Sequence, residues 1–425
     1  MEVVSEINVG YTGAWPLICA DLNGDGLYEY LVGNCEGNFL RAFDIEGNLL
    51  WQINVSNYCD GQSMPLDVFD FDCDGCAEVY VPDEMGKRIV RIDGKTGVIT
   101  ARSHELPGSG IDAISAPYGF MQYQGLRPTT WNEQGPALYV SIKGGYLVAL
   151  DENLKILWVR DGLGVDPEHY VFRGDIDNDG RDEAFVSTQD NEMLYIIDDD
   201  ESLIKSFHIP TEIGNDTHVD SLVIADINED GNQEFVTSTG YDMWDNKFNK
   251  KWSLANQNGY EKQGQWVQVG KIRNDYPGKQ ILYVDAEGGI DPSQLKLVSS
   301  EGREIWKYNG FKTTVYGAGF IDRKGKGDYE VFACEQGRID VIKGIDNVYW
   351  DKNRHINNPS TQFDIVMLSK NGVENDRFSF LDFGSPGAYE GVYGGVVASC
   401  IVKIDNSNAQ ALAVLTFNGK LLVLK

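Results

Sequence analysis

Short apolar runs broken by polar turns fill this chain from end to end. Phe43-Asp-Ile-Glu-Gly-Asn-Leu-Leu-Trp51, Leu150-Asp-Glu-Asn-Leu-Lys-Ile-Leu-Trp158 and Val298-Ser-Ser-Glu-Gly-Arg-Glu-Ile-Trp306 show the form. Each is an apolar end, an Asp/Asn/Gly turn and a second apolar run closing on Trp, the pattern of a β-hairpin. Helix signals are nearly absent. No apolar stretch reaches the ~18 residues a spanning helix needs, so nothing is expected to cross a membrane.

Between these hairpins an acidic loop recurs. Its copies place oxygen side chains at loop positions 1, 3, 5 and 9 and Gly at 6. They are Asp21, Asn23, Asp25 and Glu29; Asp70, Asp72, Asp74 and Glu78; Asp175, Asp177, Asp179 and Glu183; Asp226, Asn228, Asp230 and Glu234. Alternate residues of a tight loop point inward, so three short side chains and one longer Glu can ring a hard cation, and Gly permits the turn. A helix–loop–helix calcium site puts its Glu at position 12 and continues as a helix. Here Glu comes earlier and a strand follows, as in Glu29-Tyr-Leu-Val and Glu234-Phe-Val-Thr. These read as Ca²⁺ loops between two strands.

Their spacing sets the architecture. The long gap between the second and third loops hides a copy without acidic residues, Phe120-Met-Gln-Tyr-Gln-Gly-Leu-Arg127 followed by Pro136-Ala-Leu-Tyr-Val. Degenerate copies follow at Lys271 to Gln280 and at Asp322 to Glu330, and another at Ala398 to Leu415. In the Asp322 copy Lys324 and Lys326 stand at two ligand positions, so an ammonium is expected to replace the ion. Each unit comprises about four strands, and units of roughly 50 residues are propeller blades. The expected fold is an all-β, eight-bladed β-propeller in one domain spanning 1–425. Seven blades stay open, because 337–390 reads as an irregular insertion. The terminal strands, Glu2 to Val9 and Lys420 to Lys425, are expected to pair and complete the last blade, removing an exposed edge.

Net charge is −29, from 65 acidic and 36 basic residues, which disfavours nucleic acid as a general partner. An acidic polymer can still bind where a few Lys/Arg or bound ions line a cleft. Of the 7 Cys, Cys73 and Cys76 form a C-x-x-C inside an acidic loop, with no second pair or nearby His to complete a zinc set. The other Cys read as core residues on strands. No basic-then-apolar leader is visible at the N-terminus, a reading that a removed leader would equally give, so localisation stays open. A monomer is expected.

Ligands of propellers bind where loops converge at one face, before the inner strands and between the second and third strands. Before inner strands stand Tyr11, Gln62, His169, His218, Asp220, Gln265 and Tyr316, among others; the inter-strand turns offer Lys87, Arg88 and Lys143. Planar aromatics and amides suit sugar faces and hydroxyls. His169 and His218 occupy equivalent places in successive repeats, which favours a shared role over two unrelated structural histidines.

Several segments resemble the rhamnogalacturonan lyases of polysaccharide lyase family 11. They are His169 to Glu183, His218-Val-Asp-Ser-Leu-Val-Ile-Ala-Asp-Ile227, the Tyr-Pro-Gly of Val269 to Gly278 and Gly125-Leu-Arg-Pro128, in family order across roughly 15–340. The family's Arg-Gly-Tyr-Tyr-Thr-Arg stretch reads Ser141-Ile-Lys-Gly-Gly-Tyr146 here, and its C-terminal region is not evident. The resemblance implies a calcium-bearing propeller that cleaves an acidic, uronate-containing glycan by β-elimination. It suggests His218 as base, oriented by Asp220, with His169, Lys262 and Lys143 as alternatives. Arg127, Arg88 or a cleft Ca²⁺ would hold the carboxylate. A non-catalytic glycan-binding or adhesion propeller and a rhamnosidase-like hydrolase stay open as alternatives.

Overall fold

The computed structural model describes residues 1–10, 14–34, 38–55, 65–115, 135–164, 167–188, 193–208, 219, 221–255, 264–285, 292–338, 361–383, 385–386 and 392–425. The architecture is all-β. Six separate four-stranded antiparallel sheets follow one another along the chain, each built from four consecutive strands. The first comprises Ala14–Ala20, Glu29–Asn34, Phe39–Phe43 and Leu49–Asn54. The remaining strands form a nine-stranded sheet that joins two further four-stranded groups. One group is Thr314–Ile321, Glu330–Arg338, Thr361–Leu368 and Glu374–Asp382. Two regular strands therefore lie inside the stretch that reads as irregular in the sequence. The other group is Val392–Val402, Ala411–Thr416, Lys420–Leu424 and the N-terminal Val3–Asn8. Chain ends pair antiparallel, Ile7 with Leu421 and Asn8 with Lys420.

Buried apolar clusters sit between successive sheets. One joins the first and second units through Ile18, Leu31, Val68 and Val79; another joins the last unit to the first through Val397, Leu415, Leu17 and Val32. The remaining junctions each have their own cluster. The middle strands are apolar on both faces because each sheet is covered on both sides. The fourth strands alternate, as in the Ile156–Arg160 strand, because one face meets water.

A tryptophan on the fourth strand fastens each of several units to the next. Trp51 donates to the Gly94 carbonyl at 2.7 Å, Trp158 to Asp199 at 2.6 Å, Trp252 to Ser300 at 3.0 Å and Trp306 to Lys370 at 3.0 Å. Each acceptor lies in the third-to-fourth-strand turn of the following unit. Gly97, Gly302 and Gly372 in those turns have positive φ, and a Cβ there would strike the indole. At the junction of the chain ends Ile7 takes the tryptophan's place against Gly47.

Candidate functional site

The register separates two faces. In the first unit Ala20 pairs with Glu29 and Ala14 with Asn34, so the acidic loop caps one end of the inner strand. The second-to-third-strand turn lies at the other end. The fourth unit repeats this, with Gly174 opposite Glu183 and Pro167 opposite Thr188. At about 3.3 Å per residue, a seven-residue strand puts about 20 Å between the two ends. Ions in the acidic loops are therefore remote from the face where His169 begins its strand. An ion held there could tie its turn together but would lie away from that face.

In the third acidic loop Asp175, Asp177, Asp179 and Glu183 each offer an oxygen within 4.8 Å of the others. Glu183 is fully buried. One of its oxygens accepts the Ile176 N–H at 2.6 Å; the other, Oε1, and Asp175 Oδ1 have no hydrogen-bond partner among the described residues. Burial drives the Glu183 carboxyl up to about 9, with Asp177 and Asp175 adding to the rise against the Ile176 N–H. Crowded hard oxygens with buried orphan atoms fit a divalent cation such as Ca²⁺. Asp70, Asp72 and Asp74 converge in the same way. Beside them burial pushes Glu78 up to about 7.

The first and fourth loops differ. Asn23 Nδ2 donates to Glu29 Oε1 at 2.8 Å, and the Leu22 N–H satisfies Oε2 at 2.8 Å. Asn228 does the same for Glu234 Oε1 at 2.8 Å, with the Ile227 N–H on Oε2 at 2.9 Å. An amide at position 3 thus closes these two loops internally. The all-carboxylate loops have no amide donor at that position.

Degenerate copies keep the turn by other means. Gln280 replaces the Glu, its Oε1 accepting from Ile272 and Arg273 N–H at 3.0 and 2.8 Å. In the Asp322 loop the expected ammonium substitute is corrected: Arg323, not Lys324 or Lys326, lies on Glu330, at 2.8 and 3.1 Å. Its planar fork matches both carboxylate oxygens, which a point-charge ammonium cannot do.

At the opposite face the side chains of Lys87 and Arg88 and the backbone of Lys143 meet one connection. The Lys87 carbonyl accepts from Leu106 N–H at 2.8 Å, and Lys87 Nζ donates to the Gly108 carbonyl at 2.6 Å. Lys143 brackets the same segment, its carbonyl accepting from Ser109 N–H at 3.1 Å and its N–H donating to Gly110 at 2.9 Å. Arg88 donates to the Ser103 carbonyl at 3.2 Å and reaches Glu105 at 4.0 Å. Residues 103–110 therefore hold the Lys87 and Arg88 side chains and the Lys143 backbone between the second and third units, with Glu105 beside Arg88.

Tyr316 packs edge-on against Trp266 of the neighbouring inner strand, ring centroids 6.1 Å apart. Near the same end of the sixth unit, Lys296 is fully buried and bonds Asp285 at 2.9 Å, while Tyr241 donates to the other Asp285 oxygen at 3.0 Å. No local pattern announces that trio, because its members pair across different strands. His169 lies on the Pro167–Gly174 strand and Gln265 on Gly264–Gly270, with only their backbones described. Tyr11, Gln62, Arg127, His218, Asp220 and Lys262 lie outside the described residues.

No known family matches the chain, and no curated protein matches it. Solved structures do. Sqt1 of Saccharomyces cerevisiae is similar at 10% identity over 100% of this chain and 98% of that one, with a TM-score of 0.62. BamB from Moraxella catarrhalis is similar at 10% identity over 100% and 97%, with a TM-score of 0.54. The Bacillus licheniformis rhamnogalacturonan lyase PL11 is matched at 14% identity over 100% and 74%, with a TM-score of 0.38. The chain is a β-propeller. These likenesses show the fold and nothing of the activity.

Proposed function

We propose that this propeller binds a uronate-containing glycan on the face opposite its acidic loops and cleaves it by β-elimination. The observation that carries the binding half is the gathering of Lys87, Arg88 and Lys143 around residues 103–110, in a chain whose net charge is −29. An acidic polymer is repelled by most of this surface and attracted here. The cleavage half rests on the ordered resemblance of His169 to Glu183, His218 to Ile227 and Val269 to Gly278 to lyase segments.

The chemistry has two demands. A uronate C5 proton is a very weak acid, so charge developing on the C6 carboxylate must be stabilised by cations such as Arg88, Lys143 or Arg127. A base must take that proton while the glycosidic oxygen at C4 departs, leaving a C4–C5 double bond. His218, with Asp220 orienting it, is the assigned base; His169 and Lys262 are the alternatives.

Incubation with rhamnogalacturonan and other uronate polysaccharides tests this. The expected result is rising ultraviolet absorbance from the unsaturated end, abolished in His218→Ala. Saturable binding without absorbance would establish instead a glycan-binding module. That reading is favoured by Ser141 to Tyr146 standing where the lyases carry two arginines and an aromatic pair. New reducing ends without the chromophore would mark a hydrolase.

A further inference from the structure

The chain ends meet at one junction, and two cysteines of the adjoining units share its core. Cys19 lies on the inner strand of the first unit, opposite Tyr30, and Cys400 on the inner strand of the last, opposite Ala413. Both are buried, at 3% and 2% exposure, in a single apolar cluster with Leu17, Val32, Val397 and Leu415. Burial, and then the neighbouring Cys400, push the Cys19 thiol well above its usual range, while the Cys400 thiol donates to the Ile401 carbonyl at 3.5 Å. The junction is otherwise non-covalent. The Tyr28 N–H bonds the Lys403 carbonyl at 3.0 Å, and the N-terminal strand pairs with the C-terminal one.

We propose that Cys19 and Cys400 form a disulfide site that closes the propeller covalently between its first and last units. The residues are far apart in sequence and meet only once every intervening unit is in place. The bond therefore reports completed closure. A small disulfide such as oxidised glutathione supplies the oxidant. One cysteine thiolate attacks it, releasing one glutathione thiol and leaving a mixed disulfide. The second cysteine sulfur displaces the other glutathione, so two protein thiols become one S–S bond and one disulfide becomes two thiols. Cross-linking nearly the whole chain removes much of the entropy of the opened ring. Cys334, by contrast, is buried on the Glu330–Arg338 strand beside Ser399, with no thiol opposite it among the described residues. Cys73 and Cys76 lie in an acidic loop, exposed and half-buried, and belong to no such junction.

The test refolds the full chain with oxidised and reduced glutathione, then blocks remaining thiols and digests it without reductant. The expected product is a peptide pair joining Cys19 to Cys400, released by reductant. The oxidised protein should melt about 5 °C or more above the reduced one. A Cys73→Ser/Cys76→Ser variant should keep both results, which separates the junction from the exposed pair. Cys400→Ser should lose the linked peptide and the shift together. Recovery of Cys19 and Cys400 fully blocked after oxidation overturns the proposal, whatever the variants do. A linked protein that melts no higher than the reduced one overturns it equally.

Discussion

The guanidinium of Arg323 lies flat on the carboxylate of Glu330, 2.8 and 3.1 Å from its two oxygens, in the turn where related units gather acidic ligands. Arg323 also reaches Asp376 at 3.2 Å on the fourth strand of the same unit, so the turn is tied to its own sheet. Against the burial that raises it, the pairing with Arg323 and Asn375 holds the Glu330 carboxyl below its ordinary value. Arg323→Met should leave a buried carboxylate without its cation and cost about 3 kcal/mol of stability. Because Glu330 titrates low in the folded protein, its favourable contribution exists above the unfolded value near 4.5 and fades as pH falls further. The gap between wild type and Arg323→Met should thus narrow in acid. Denaturant midpoints at neutral pH and near pH 4 check this; an equal gap at both would remove the ion pair as the cause.

The acidic loops should not share one calcium affinity. Asn23 and Asn228 already satisfy Glu29 and Glu234, whereas Asp177 cannot donate to Glu183. Asp177→Asn should stabilise the ion-free protein and lower calcium affinity at that loop about tenfold, since both charge and need for the ion fall. Asn23→Asp should do the reverse at the first loop. Calorimetric titration with Ca²⁺, beside melting in chelator, measures both. Identical titrations for wild type and Asp177→Asn would show that the amide bond is irrelevant to binding.

Calcium should also abolish the pH dependence of stability that these loops impose. Without an ion, burial raises Glu183 to about 9 and Glu29 and Glu78 to about 7, against 4.5 for an ordinary Glu. A raised folded value means that the folded chain holds protons the unfolded chain releases. The associated stability is complete below about pH 4.5 and is lost as pH rises through the folded values. In chelator, Tm should therefore fall from about pH 5 upward, two loops' share being lost by about 7 and the third's by about 9. With saturating Ca²⁺ the carboxylates bind ionised, and the decline should vanish. Melting curves across that range with and without calcium decide it; parallel slopes would mean the loops hold no ion.

Much of this was legible in the chain. Alternation of apolar runs with Asp/Asn/Gly turns located the hairpins, and the pairing of Val3–Asn8 with Lys420–Leu424 follows from a last unit one strand short. What stayed hidden depends on side-chain direction or on the ring. Position 2 of an acidic loop is normally apolar and buried, as Leu22 and Ile176 are, so an arginine there did not read as a ligand substitute. The internal closure by Asn23 needs the Glu29 oxygens in place. Cys19 and Cys400 become neighbours only across the completed circle. The Glu330–Arg338 strand pairs beyond its own unit with Val392–Val402, and no local pattern announces that.

The basic cluster offers the most direct check on the glycan face. Arg88 and Lys143 lie on separate units yet bracket the same 103–110 segment. If both attract a polyuronate, each of Arg88→Ala and Lys143→Ala should weaken binding by up to about 1 kcal/mol, near fivefold. The double variant should also bind with a shallower dependence on salt, since fewer charges are screened. Neither change touches the acidic loops, so calcium titration should be unaltered. Affinity gels or calorimetry with an acidic and a neutral polysaccharide separate the outcomes. Loss for both polymers alike would point to a disturbed fold rather than to charge. Retention of full acidic-glycan affinity in the double variant would move the ligand away from this face.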